Sequence, residues 1–273
     1  MTAHETRKAE EKAQERLQIL AGGLLQVSKH PGKAEAIHDL RVAIRRFTQV
    51  LRVFDGLFSH PRKMRHPLRS VMDLCGEARN CDIAPEVLTE AGVPPDSALE
   101  KRLKQRRARA GRDLAKLLDR WHVHSHMHRW QEWLKAPSAD AQPPQLLPRL
   151  SREFFAAGRE AAKAGAGFRQ IHRFRLLVKK LRYTVEIVGG EVLGSGEAQL
   201  DRLRGLQERL GAINDCVTTA DLIDDIGLRA ARRRKIKAAL NRLLERRAVD
   251  FRIYWRSQVI RKRTSRKKSR RKK

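Results

Sequence analysis

What this chain of 273 residues has little of already narrows its class. It has three cysteines, Cys75, Cys81 and Cys216, too few and too oddly numbered for a disulfide framework, which fits a reducing cytosol. Aromatic residues make up only 5%, so stacking on nucleic-acid bases is poorly provided for. No run approaches the roughly 18 apolar residues that a membrane span needs. The N-terminal MTAHETRKAEEKAQERL is charged and lacks the apolar core of a signal peptide. The alternating β-branched pattern of strands is essentially missing. So are a glycine-rich phosphate loop, a nucleophile–base pair and a carboxylate cluster for Mg²⁺. These absences point to a cytoplasmic, all-α, non-catalytic protein with no cofactor.

Acid is the other shortage. Against 60 Lys and Arg stand 31 Asp and Glu, a formal charge of +29. The last thirteen residues, RKRTSRKKSRRKK, hold ten of those positive charges and no acid, which leaves +19 on the other 260. The excess therefore belongs to the body as well as the tail. A folded body this basic attracts polyanions: nucleic acid, anionic lipid or a phosphate polymer.

Apolar residues recur at three- and four-residue spacing along most of the chain, the mark of amphipathic helices. Helices are expected at about 5–28, 33–58, from Pro67 onward, 96–119, 124–135, 146–164, 168–189, 197–225 and 229–259. Gly76 and Pro85 predict a distortion around 76–85 in the third of these. SHPRK after Phe58 reads as a helix end. APSADAQPPQ, at 136–145, is the best linker, small, polar and proline-bearing, and it lies at the midpoint. The organisation is then a helical domain over 1–258, with repeat one at about 5–135 and repeat two at about 146–258. A basic tail at 259–273 follows, expected to be disordered and self-repelling.

The two halves repeat one another. IHDLRVAIRR at 37–46 returns as IHRFRLLVKK at 171–180, aligning His38, Arg41, Arg45 and Arg46 with His172, Arg175, Lys179 and Lys180, 134 residues apart. LRSVMDLCGEARNCD at 68–82 lies against LRGLQERLGAINDCV at 203–217 with an offset of 135. There Leu68, Arg69, Gly76 and Cys81 match Leu203, Arg204, Gly211 and Cys216. Two separate matches at nearly one offset read as a duplication.

On a helix, His38, Arg41, Arg45, Gln49 and Arg52 share one face about 21 Å long at 1.5 Å per residue. Ile44, Phe47, Leu51 and Phe54 oppose them. In the second copy His172, Arg175, Lys179 and Arg182 lie together, opposite Leu177, Val178, Leu181, Val185 and Val188. Charges away from a core are usually only a solvated face. Here the interleaved acids that neutralise such a face are missing, Asp39 being the nearby carboxylate, and the spacing recurs. Arginine meets phosphate as a planar fork and lysine as a point charge. A histidine among several cations should have a lowered pKa until an anion fills the site.

HDLRVAIRRFTQVLRVF and HRFRLLVKKLRYTVEIV, each followed by a second matched helix segment, resemble the two halves of the CHAD family, the conserved histidine α-helical domain, up to about residue 258. The resemblance implies two four-helix halves about a pseudo-two-fold axis, with a basic central cavity that binds inorganic polyphosphate. It also implies polyphosphate-binding roles for His38, Arg41, Arg45, Arg46, His172, Arg175, Lys179, Lys180 and Arg182; Arg52, on the same face of the first stripe, and the repeat-matched Arg69 and Arg204 are expected to join them. Thr48 stands where the second copy has Arg182, and Arg79-Asn80 where the family has Arg-Asp.

The remaining features have plainer readings. His122, His124, His126 and His128 have feasible helical spacing for a metal, but no Cys or carboxylate completes the set, and a helix-entry surface is the stronger reading. The cysteines read as core. The cations of helix 96–119 (Lys101, Lys104, Arg109, Arg112, Lys116) either line an anion cavity or decorate the surface. Asp82, Asn214 and Asp215 are expected to orient arginines or cap a helix break. The leading reading is a polyphosphate-binding module that could sit at polyphosphate granules. The alternative is a nucleic-acid binder using the tail, and an enzyme with a phosphoryl-accepting histidine ranks last.

Overall fold

The computed structural model describes residues 3–121, 123–135, 146–194 and 196–260, and every regular element among them is helical. In chain order these are α1 (Ala3–Lys29), α2 (Ala34–Val53), the short α3 (Pro61–Arg65), α4 (Pro67–Glu90) and α5 (Ser97–Arg120). Then come α6 (Val123–Lys135), α7 (Leu146–Ala161), α8 (Phe168–Val188), α9 (Gly196–Asp225) and α10 (Ala230–Tyr254), which continues as a π-helical stretch, Trp255–Ile260. The expected linker at 136–145 and the tail from 261 lie outside the described residues.

The chain divides into two compact units, Met1–Pro85 with Pro95–Pro144, and Glu86–Pro94 with Gln145–Lys273. The first repeat was drawn continuously over 5–135, but the segment at 86–94 groups with the second unit. The reason is local. Arg247 on α10 grips the Glu90 carboxylate with Nε at 3.2 Å and with Nη2, and so holds the end of α4 against α10.

In the first unit α1 packs on α2, α5 and α6. Its core includes Leu17, Leu20 and Leu24 of α1, Ile37, Leu40, Phe47 and Leu51 of α2, and Trp130 of α6, all essentially inaccessible. Phe47 stacks on Trp130 with centroids 5.8 Å apart and planes 11° from parallel. In the second unit α7 packs on α8, α8 on α9 and α9 on α10. An aromatic cluster joins them: Phe174 lies 5.2 Å from Phe154 and 5.1 Å from Trp255. Gly158 on α7 makes room for it, since a Cβ there would collide with the Trp255 ring. Each buried aromatic of this kind contributes about 1.5–3 kcal/mol through removal of apolar surface from water.

Several boundaries differ from the sequence expectation. α2 stops at Val53, not 58, because Asp55-Gly56 turns the chain, with Gly56 at φ +96°. α3 was missed, since Pro61 reads as a breaker, but proline suits the first helical position. α4 is assigned as one helix through Gly76 and Pro85, where a distortion was expected, so the proline does not end it. α10 gives way to π-helix at Trp255, short of 259. Elsewhere the local chemistry is plain. Asp96 caps α5 by accepting from the backbone N–H groups of Ala98 and Leu99 at 3.0 and 3.1 Å.

Candidate polyanion-binding site

On α2, His38 is exposed and Arg41, Arg45 and Arg46 are half-buried. Although much of its surface is open, partial desolvation by the protein around it lowers the His38 pKa below its usual 6.5. The charges of Arg79, Arg45 and Arg41 push it the same way, opposed by Asp39. His38 therefore sits in a cationic group that includes Arg79 of α4, which the sequence reading did not place in the site. Arg41 Nη1 donates to the Met72 carbonyl at 3.3 Å, across Gly76, where a Cβ would stand 3.1 Å from that nitrogen. The glycine that aligns between the two halves is thus a seat for the Arg41 guanidinium in the first. A second cationic group lies further along. Arg52 is exposed on the surface, and its pKa is lowered by the protein around it and then by Arg65 and Arg69.

Two expectations for α2 need correction. Gln49, placed with the cationic face, is buried, because the C-terminal half of the helix is enclosed at Phe47, Gln49, Val50, Leu51 and Val53. Thr48 adds nothing to the stripe. Its hydroxyl donates back to the Ile44 carbonyl at 2.8 Å.

On α8, His172, Arg175, Lys179 and Lys180 are half-buried along one side. Arg175 and Lys179 lie near Asp215 of α9. Burial raises the Asp215 pKa, while Arg175, Arg247, a hydrogen bond from Asn214 and Lys179 pull it down. His172 lies 5.5 Å from the Phe168 ring, and its buried Nδ1 has no hydrogen-bond partner. Two other expected residues are engaged locally. Arg182 lies 3.7 Å from Glu186 and over the Tyr183 ring at 4.7 Å, and exposed Arg204 pairs with Asp201 at 2.6 Å. Val188, expected on the apolar side, is exposed at the helix end.

The arginines that organise the surroundings are Arg106 and Arg107 of α5 and Arg247 of α10. Arg106 meets Glu77 at 3.0 Å. Arg107 meets Asp82 at 2.9 Å and the carbonyls of Pro31 and Gly32 at 3.2 and 3.1 Å. Arg247 donates to the Ala212 carbonyl at 2.6 Å and to Cys216 Sγ at 3.3 Å. A sequence signal for them exists: L-x-x-R-R-A occurs at 103–108 and again at 243–248. The cations Lys101, Lys104, Arg109, Arg112 and Lys116 are exposed. The three cysteines are free and buried, and burial pushes the Cys75 thiol up to about 11, far from a reactive thiolate.

Of the histidine run, His122 lies outside the described residues. His126 stacks on Trp121 at 5.0 Å and meets the edge of Trp130 at 6.1 Å. Among the described residues no group of three or more His, Cys, Asp or Glu could hold a metal ion. No helix among them is long and apolar enough to cross a membrane.

A helical fold with paired His-x-x-Arg helices defines a class, and the sequence comparison names it. The CHAD domain family model matches residues 13–224, and the chain belongs to that family. Among solved structures, the CHAD domain from the plant Ricinus communis superposes with a TM-score of 0.72 at 20% identity, covering 92% of this chain and 90% of that one. PptA from Streptomyces chartreusis superposes at 0.64 and 16% identity, covering 92% of this chain and 99% of that one. Both likenesses establish the fold. No curated protein is significantly similar in sequence.

Proposed function

We propose that this CHAD-domain protein binds inorganic polyphosphate, without catalysis, through the histidine, arginine and lysine stripes of α2 and α8. The observation that carries the reading is a surplus of cation without acid. Arg45, Arg46, Arg69 and Lys180 have no carboxylate partner among the described residues, although ion pairs are common elsewhere in the chain. His38, crowded by Arg79, Arg45 and Arg41, is held below its usual pKa. Asp39 offsets that repulsion only in part, and a polyanion relieves it. Family membership supports the choice of polyphosphate among polyanions.

Arg41, Arg45, Arg175 and Lys179 are the proposed principal phosphate contacts, with His38 and His172 as donors once protonated. Arg52 and Arg69, grouped with Arg65, extend the track in the first unit. Arg204 and Arg182 contribute least, because Asp201 and Glu186 already lie beside them. The corresponding cellular role is a cytoplasmic protein at polyphosphate granules. Nucleic acid is the competing partner, favoured by the ten cations in the last thirteen residues. Competition of long-chain polyphosphate against DNA and RNA for the full chain separates the two. A protein that prefers DNA or RNA does not have the proposed function.

A further inference from the structure

α10 carries a second face that polyphosphate binding does not use. Arg242, Glu245, Arg246, Val249, Arg252 and Ile253 fall within about 120° of the helix circumference at 100° per residue. Of its buried residues, Ile236, Leu240, Leu243, Ala248 and Phe251 lie on the other side, and Ala239 borders the face near Arg246. Val249 is 45% exposed and Ile253 60%, and Phe168, at the start of α8, is 38% exposed. Half of the large exposed hydrophobic side chains among the described residues thus belong to this one region. Between α10 and the start of α8 lies an open cavity of about 860 Å³. Phe168, Ile171, Ile213 and Val249 line it together with Arg242, Glu245 and Arg252.

The arginines of this face have few partners. Arg242 and Arg252 make no ion pair among the described residues, and Arg246 donates only to the Glu90 carbonyl, at 3.4 Å. Cations interleaved with exposed aliphatic side chains do not suit a nucleic acid, whose phosphates give Val249 and Ile253 nothing to bury against. They suit a surface that is anionic outside and hydrocarbon just beneath. We infer that the face of α10 bearing Arg242, Arg246, Val249 and Ile253 attaches the protein peripherally to an anionic lipid bilayer.

The test is co-sedimentation of the full chain with vesicles of phosphatidylcholine alone or with 30% phosphatidylglycerol, at about 0.15 M and 0.5 M salt. Binding is expected only to the anionic vesicles and should weaken at the higher salt. The double variant V249S/I253S changes only exposed side chains, so it should fold, which circular dichroism checks. It should bind anionic vesicles at least about tenfold more weakly, by loss of the inserted aliphatic groups, while its polyphosphate affinity stays unchanged. Wild-type vesicle binding by this variant overturns the inference, because attraction by the tail alone then accounts for it. Equal binding to neutral vesicles, or none to either kind, overturns it as well. So does a preference for duplex DNA that depends on Arg242 and Arg246 and is indifferent to V249S/I253S. Failure on any of these counts leaves the polyphosphate reading standing, since its contacts lie on α2 and α8.

Discussion

Arg107 Nε donates to Asp82 Oδ1 at 2.9 Å, and both side chains are largely shielded, at 13% and 17% exposure. The same guanidinium closes on the carbonyls of Pro31 and Gly32, the turn that delivers α2 to its place. One arginine on α5 thereby joins the start of the motif helix to α4. Arg247, at the matching position of the second L-x-x-R-R-A, similarly ties α9 and the end of α4 to α10.

Removing Arg107 strands a shielded carboxylate and two carbonyls. Arg107→Ala should lower stability by about 2–4 kcal/mol. Arg106→Ala, which loses the more open contact with Glu77, should cost less than about 1 kcal/mol. Urea denaturation of the two variants, with equal slopes, checks the difference.

Two glycines give opposite expectations. A Cβ at Gly158 meets the Trp255 ring, so Gly158→Ala should destabilise by about 1–3 kcal/mol through overpacking. Gly22 on α1 is exposed with nothing within 4 Å of its Cβ position. Gly22→Ala should therefore stabilise by about 0.5–1 kcal/mol. Thermal melts of both variants measure this.

His38 makes stability and binding depend on pH with opposite signs. Its folded pKa lies below the unfolded value of 6.5, so the unfolded chain binds more protons in that window. The free protein therefore loses stability as pH falls through 6.5, and His38→Gln should remove that part of the loss. Bound polyanion favours the protonated imidazole, so polyphosphate affinity should rise as pH falls over the same window. His38→Gln should flatten that rise. Calorimetric titrations at pH 7.5 and 5.5 compare the two proteins.

In the proposed site, Asp215 would compete with the polymer for Arg175 and Lys179. Its burial is unfavourable to the charge that those cations hold in place. Asp215→Asn should tighten polyphosphate binding several-fold, because it removes one negative charge from the stripe. Weaker binding by this variant would mean that the carboxylate instead positions the two cations.

The motif helices were legible because period and charge agree. Residues three and four apart set the buried side of α2 at Ile37, Leu40, Ile44, Phe47 and Leu51, and the cations fell on the rest. What the sequence could not give was tertiary. Gln49 has the right helical angle for the open stripe, yet the helix is enclosed there on nearly all sides. Arg79 is one basic residue among many until α4 brings its charge near His38. Arg204 looked equivalent to Arg69, but Asp201, three residues earlier, pairs with it. Pro85 looked like a break because proline removes a donor, but loss of one rung does not end a helix as long as α4.

The central claim rests on Arg45 and Lys179, and a salt titration of long-chain polyphosphate binding in competition with duplex DNA tests it most directly. For the full chain, polyphosphate should displace DNA. Arg45→Gln and Lys179→Gln should each weaken polyphosphate binding and flatten the plot of log K against log salt, the mark of lost phosphate contacts. If both variants bind as wild type, and deletion of residues 261–273 alone abolishes binding, the stripes of α2 and α8 are not the site.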